Sequence, residues 1–123
     1  MRKVKVALGD RSYSILIGKN LLARLGAECS RLNLGQRCAI VSDRHVMPRY
    51  GKIVQRTLAN AGFDPVLITV PAGETAKSLK TVQPCYDQLT TNRLERKSFI
   101  VALGGGVIGD LAGFVAATYL RGV

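Results

Sequence analysis

The sequence predicts an α/β domain, a parallel sheet with flanking helices and an N-terminal β-hairpin. Short unbroken apolar runs at Cys38–Ser42, Val66–Val70 and Phe99–Leu103 suit strands buried on both faces. Segments with apolar residues at helical spacing separate those runs. Strands alternating with helices in this way call for right-handed crossovers within one sheet. A chain of 123 residues is one domain at most, and its 47% apolar fraction is enough to build a core.

The elements follow in order. Val4, Val6 and Leu8 alternate with charged or small residues, Gly9-Asp10-Arg11 turns the chain, and Tyr13, Ile15 and Ile17 resume the period of two. This is the hairpin. Leu21, Leu22, Leu25, Cys29 and Leu32 recur at helical spacing until Asn33–Gly35 closes the segment. After the first buried run, Pro48 suits the opening turn of a helix through Ile53, Val54 and Leu58, which Asn60-Ala61-Gly62 stops. Pro71-Ala72-Gly73 breaks the second run. Ser78 is the expected N-cap of a helix with Leu79, Val82, Tyr86 and Leu89 on one face, kinked at Pro84. The third run leads through Gly104–Asp110 into an apolar helix ending near Leu120. Arg121-Gly122-Val123 reads as a helix stop and the start of another strand. A helix apolar on nearly every face expects cover on every side, so the sequence reads as truncated. With glycines between a strand and a helix, the whole pattern is Rossmann-like.

Composition narrows the function classes. Eighteen Lys and Arg against eight Asp and Glu give a net charge of +10. The cations are scattered singly or in pairs, with 6% aromatic residues and no Trp, which argues against nucleic acid as partner. An acidic small ligand, an acidic partner or a missing acidic segment explains the surplus as well. No apolar segment is long enough to span a bilayer, so no membrane partner is expected and the chain reads as cytoplasmic. Cys29, Cys38 and Cys85 form no C-x-x-C pair, which leaves no metal site of ordinary spacing and suits a reducing compartment. They are expected to pack in the core as inert thiols.

In an open parallel sheet, ligands bind beyond the carboxyl ends of the strands. Asp43, the Gly73–Lys77 segment and the Gly104–Asp110 segment each follow a predicted strand, which assigns all of them to one edge. Gly104, Gly106 and Gly109 satisfy G-x-G-x-x-G between a strand and a helix, where backbone N–H groups can approach a pyrophosphate. Asp43 nevertheless precedes the glycines, the reverse of the usual dinucleotide order. The competing reading of the glycines is tight helix–strand packing, with Gly109 and Gly113 letting another element come close. Asp43 suits ribose hydroxyls or, more plainly, a turn or helix cap. Glu74 and Lys77 suit a clamp on hydroxyl and phosphate or, equally, a solvated local pair. Asp110 is the only charge in an apolar stretch and complements the helix dipole. His45 reads as an exposed loop residue.

The segment VALGGGVIGDLAGFVAATYLRG, residues 101–122, resembles the sugar phosphate cyclase family, and Val41-Ser42-Asp43 and Pro71-Ala72-Gly73-Glu74 agree with it. The resemblance implies that residues 1–123 are the family's N-terminal NAD-binding domain. The family's helical C-terminal metal-binding domain, with ligands for zinc or cobalt, is absent from the sequence. By resemblance, Asp43 contacts the adenosine ribose of NAD, and Gly73, Glu74 and Lys77 are cofactor contacts. Gly105, Gly106, Val107, Gly109 and Asp110 then form the turn around the pyrophosphate and nicotinamide half. Arg121 matches an arginine that reaches the substrate phosphate across a homodimer interface. His45 stands where the family often has Asn, and Pro84 is unusual in its helix. The implied activity is NAD-dependent cyclisation of a phosphorylated sugar acid with loss of phosphate, with no catalytic residue assigned within these residues. The alternatives are an NAD- and metal-dependent polyol or alcohol dehydrogenase of related fold, and a basic binding module without enzymatic activity.

Overall fold

A computed structural model describes residues Met1–Val123. The expected hairpin forms from β1 (Arg2–Val6) and β2 (Tyr13–Ile17), antiparallel, with Val4 opposite Ile15 and Val6 opposite Tyr13. It is a separate two-stranded sheet, and none of its strand residues is buried. The parallel sheet has the order β4-β3-β5, from β3 (Arg37–Asp43), β4 (Asp64–Val70) and β5 (Phe99–Leu103). β3 is central, and Cys38–Ser42 are fully buried, as the unbroken apolar run requires. Pro65, which has no N–H to give, is tolerated because β4 is an edge strand.

Alternation along β3 divides the core in two. Ala39 and Val41 join Ile68, Val70 and the inner faces of α3 (Leu79–Thr91) and α4 (Gly106–Thr118). Cys38 and Ile40 face the other way, onto Cys29 of α1 (Leu25–Ser30), Val54 and Leu58 of α2 (Lys52–Asn60), and Phe99. The approach of α1 to α2 depends on Gly26, whose N–H donates to Thr57 Oγ1 at 3.2 Å; a Cβ there would lie 2.1 Å from the Thr57 carbonyl oxygen. Ser42, buried between the strands, donates its hydroxyl to the Leu103 carbonyl at 2.6 Å and so leaves no unpaired polar group.

Several local expectations are corrected. The first helical segment is a 3-10 turn at Leu22–Arg24 followed by one short α1, and Leu32 lies beyond it, exposed. The reason is that Asn33 takes φ 52° and turns the chain back toward β3. Pro48 opens a π-helical turn, Met47–Gly51, that leads into α2. Ser78 is the N-cap of α3 by position, but its hydroxyl meets Thr81 Oγ1 at 3.3 Å and makes no bond to a backbone amide. Leu79 is 77% exposed, because the inward face of α3 is set by Val82, Cys85 and Leu89 instead. α3 continues unbroken across Pro84, which lies on the solvent side. Packing of the inward face holds the helix together there despite the missing N–H.

α4 ends at Thr118, and a 3-10 turn, Tyr119–Arg121, follows. Val123 does not begin a strand; its N–H donates to the Ala116 carbonyl at 2.8 Å, and its side chain packs on the core. Tyr119 Oη donates to the Leu94 carbonyl at 2.8 Å, anchoring the end of α4 to the loop before β5. No helix is long and apolar enough to cross a membrane.

Candidate functional site

The topology itself selects a position for a ligand. β3 and β5 are neighbours, yet α2, which follows β3, and α4, which follows β5, lie on opposite faces of the sheet. Their carboxyl ends diverge at this point and leave a crevice. Asp43 ends β3 on one side of it, and the Gly104–Gly106 turn leaves β5 on the other. The loop from β4 joins the same edge, so all three predicted segments are brought together there.

At the glycine turn, Gly104 has φ 153°, and a Cβ on it would lie 3.1 Å from Ile108 Cβ. This glycine is required by the fold. Gly105 has ordinary extended backbone (φ −85°, ψ −163°) and caps α4. A Cβ on Gly105, Gly106, Gly109 or Gly113 would meet no atom within 4 Å. The tight-packing reading of Gly109 and Gly113 therefore fails within this chain. Their bare backbone faces open space, as an approaching ligand requires. The bond from Gly109 N–H to the Gly105 carbonyl, 3.0 Å, closes the first turn of α4, and the amides of Gly106, Val107 and Ile108 within that turn point out of the helix end. Thirteen residues long, α4 places its partial positive pole at this turn.

The β4–α3 loop meets that turn from the other side. Gly73 takes φ 82°, ψ −173°, a conformation open essentially to glycine alone, and starts a 3-10 turn, Glu74–Ala76. Ala76 plugs the core, fully buried. Lys77, next in sequence, extends its ammonium to Asp110 Oδ2 at 2.8 Å and to Glu74 Oε2 at 3.6 Å. The hydrogen bond to Asp110, reinforced by both carboxylates, holds the Lys77 ammonium above its ordinary pKa. Glu74 and Lys77 are thus more than a local pair, since Asp110 of α4 joins them across the end of the sheet. Lys77 and Asp110 also bound a cavity of about 320 Å³ walled by Leu79, Val82, Leu111 and Phe114. Sequence reasoning missed this pocket. Its only signal was Leu79, which periodicity assigned to the core.

Asp43 does what the plainer reading expected. Its Oδ1 accepts from the N–H groups of His45 and Val46, both at 2.8 Å, and caps the turn after β3. The Val46 N–H chiefly, then that of His45, holds the Asp43 carboxyl below its ordinary pKa. Oδ2 makes no hydrogen bond within the chain, so the cap leaves one acceptor of the carboxylate free. His45 is exposed, as expected. Arg121 is not brought to the crevice: it lies past the far end of α4, about 20 Å along the helix from the glycine turn.

The cysteines are free and buried. Burial pushes the thiols of Cys29 and Cys85 up, and that of Cys38 to about 12, so none is a nucleophile. No group of three or more His, Cys, Asp or Glu stands close enough to hold a metal ion. Of the 18 Lys and Arg, only Arg31 and Lys77 form ion pairs, leaving a strongly positive surface.

Residues 67–123 match the family described as 3-dehydroquinate synthase N-terminal. The 3-dehydroquinate synthase of Microcystis aeruginosa is 50% identical over 98% of this chain, and that of Geobacter metallireducens is 50% identical over all of it. Over nearly its whole length the chain is thus similar in sequence to 3-dehydroquinate synthases. It spans about a third of the length of those relatives, 33% and 34% respectively. Among solved structures, 2-epi-5-epi-valiolone synthase from Streptomyces hygroscopicus, with NAD+ and Zn2+ bound, is 30% identical, with a TM-score of 0.73 over 95% of this chain and 32% of its own. A complex of 2-deoxy-scyllo-inosose synthase with carbaglucose-6-phosphate, NAD+ and Co2+ shares the fold, with a TM-score of 0.87 at 22% identity over 99% of this chain and 33% of its own.

Proposed function

We propose that residues 1–123 form the NAD-binding domain of a 3-dehydroquinate synthase, and that the crevice at the ends of β3 and β5 receives the cofactor. One observation carries this reading: Gly105, Gly106 and Gly109 face open space at the positive end of a long helix, beside a lysine, at the fold's switch point. Backbone amides at Gly105–Val107 suit the pyrophosphate, since they offer donors without side chains in the way. The free oxygen of Asp43 suits a ribose hydroxyl, a hydrogen-bond donor that a fixed carboxylate accepts. Gly73 fixes the course of the loop that carries Glu74 and Lys77, and Lys77 and Asp110 supply a donor and an acceptor between the glycine turn and the cavity. Gly109 keeps the next turn of α4 bare on that side.

The whole protein would convert 3-deoxy-D-arabino-heptulosonate 7-phosphate to 3-dehydroquinate and phosphate, in the shikimate route to aromatic amino acids. When bound, NAD supplies transient oxidation of a substrate hydroxyl, which acidifies the neighbouring C–H for loss of phosphate, and it is regenerated. This chain contributes binding and orientation to that reaction. Zinc or cobalt, expected for the longer enzyme, finds no ligand set in this chain, and no step is assigned to it. Arg121, at the far end of α4 and free of carboxylate partners, suits a substrate phosphate bound by a second subunit of a homodimer. Three free thiols accord with a cytoplasmic protein.

The test is product analysis with the full-length protein. Phosphate release from the sugar acid without net NADH supports the cyclase. Accumulation of NADH from a simple polyol would instead support the dehydrogenase of related fold.

A further inference from the structure

The turn after α4 has an unusual backbone. Leu120 takes φ 49°, ψ 33° and Arg121 takes φ 65°, and nowhere else do two non-glycine residues with positive φ stand together. The Gly122 N–H closes the turn on the Tyr119 carbonyl at 2.8 Å. Positive φ at both central residues is the pattern of a type I′ turn, which Gly, Asn and Asp favour. Leu and Arg suit it poorly, because in the left-handed region Cβ crowds the following carbonyl. A helix can end on a single left-handed glycine, so ending α4 does not require this strain.

The surroundings hold the turn from both sides. Buried Tyr119 stacks on Tyr86 with ring centroids 6.4 Å apart, and its hydroxyl donates to the Leu94 carbonyl at 2.8 Å. Beyond the turn, the Val123 N–H donates to the Ala116 carbonyl at 2.8 Å. At the tip, Arg121 is exposed and its guanidinium makes no ion pair. The fold thus fixes, against strain, the backbone of a residue whose charge it does not use. Strain that persists because its surroundings over-determine it is characteristic of functional positions.

We propose that Tyr119 is a positioning residue: through the turn it anchors, it aims the Arg121 guanidinium at the phosphate of a substrate held by the second subunit. The inference rests on the reading of Arg121 as a phosphate contact and adds the device that sets its direction. An arginine on a fixed backbone loses less freedom when its planar fork engages a phosphate than one on a loose tail does.

The test is steady-state kinetics of the full-length protein on the sugar acid phosphate, in Y119F, L120P, L120N, R121A and Y119F/R121A, with melting temperature and NAD affinity measured for each. Arg121→Ala should raise KM roughly 10- to 100-fold. Tyr119→Phe should raise KM about three- to tenfold with kcat held within about twofold, and should add nothing once Arg121 is Ala, because it acts only through the arginine. Leu120→Pro, whose ring fixes φ near about −65° and abolishes the turn at an exposed tip, should raise KM independently of any effect on the buried hydroxyl. Leu120→Asn, which the turn accepts, should keep KM within about twofold. A Y119F protein that melts lower and loses kcat at unchanged KM has lost only a structural bond, and that result overturns the proposal. So does a Y119F effect that adds fully to that of R121A, an unchanged KM in L120P, or a KM in L120N as high as in R121A. Unchanged KM in R121A removes the phosphate reading and this proposal together, whereas a raised KM in R121A with none in Y119F or L120P removes the proposal alone.

Discussion

Substituting alanine at Gly104 and at Gly105 separates a glycine the fold needs from one the ligand needs. At Gly104 the backbone has φ 153°, and the new Cβ would lie 3.1 Å from Ile108 Cβ and Cγ1. Such backbone strain costs about 1–3 kcal/mol. At roughly 2.1 cal/mol/K of unfolding entropy per residue, a chain of this length loses about 4 °C of melting temperature per kcal/mol, so Gly104→Ala should melt about 4–12 °C lower. Gly105 has a backbone alanine adopts readily and nothing within 4 Å of its Cβ position. Gly105→Ala should leave stability unchanged or raise it by up to about 1 kcal/mol through the unfolded chain. Its added methyl nevertheless occupies the approach to the turn, and NAD affinity should fall at least about tenfold, or roughly 1.4 kcal/mol. Calorimetric melting and NAD titration of both variants give the comparison. If Gly105→Ala melts several degrees lower, the glycine serves packing and the open-space argument is wrong. If it binds NAD as the parent does, no ligand approaches there.

Gly26→Ala should destabilise by about 1–3 kcal/mol or more, measured by urea unfolding, because α1 must move off the Thr57 carbonyl. Pro84→Ala should stabilise α3 by about 1–3 kcal/mol in the same assay, since it restores an N–H on an exposed face of a continuous helix. Iodoacetamide at pH 8 should leave the native thiols unmodified while labelling all three after denaturation, because all three are buried and burial pushes each thiol up; mass spectrometry reads the difference. The Asp43 carboxyl is held below its ordinary value, so its stabilising contribution is complete above that value and is lost as pH falls through the folded one. Asp43→Ala should flatten that acid limb in pH-dependent melting and weaken NAD binding.

Much of this arrangement is legible locally. Fully buried strands declare themselves as unbroken apolar runs, and β3, β4 and β5 all form where such runs predict them, with the glycine turn between β5 and α4. Helix faces were less legible where a terminal residue extends the period without reaching the core. Leu32 and Leu79 fit their helical spacing, yet one lies past the end of α1 and the other at the open mouth of a cavity. Spacing records direction around a helix axis but not whether a neighbour is there to cover it.

The sequence by itself determined the α/β class, the strand order in the chain, and which residue types lie at the strand ends, because burial on two faces and turn chemistry are written in neighbouring residues. Only the tertiary structure decided that β3 and β5 stand side by side with α2 and α4 on opposite faces, which makes the crevice. It also decided that Lys77 meets Asp110 at 2.8 Å, 33 positions apart in the chain, and that Gly105 and Gly109 face open space. Those facts depend on where separate elements come to rest against one another, and no local period encodes a distance between residues so far apart.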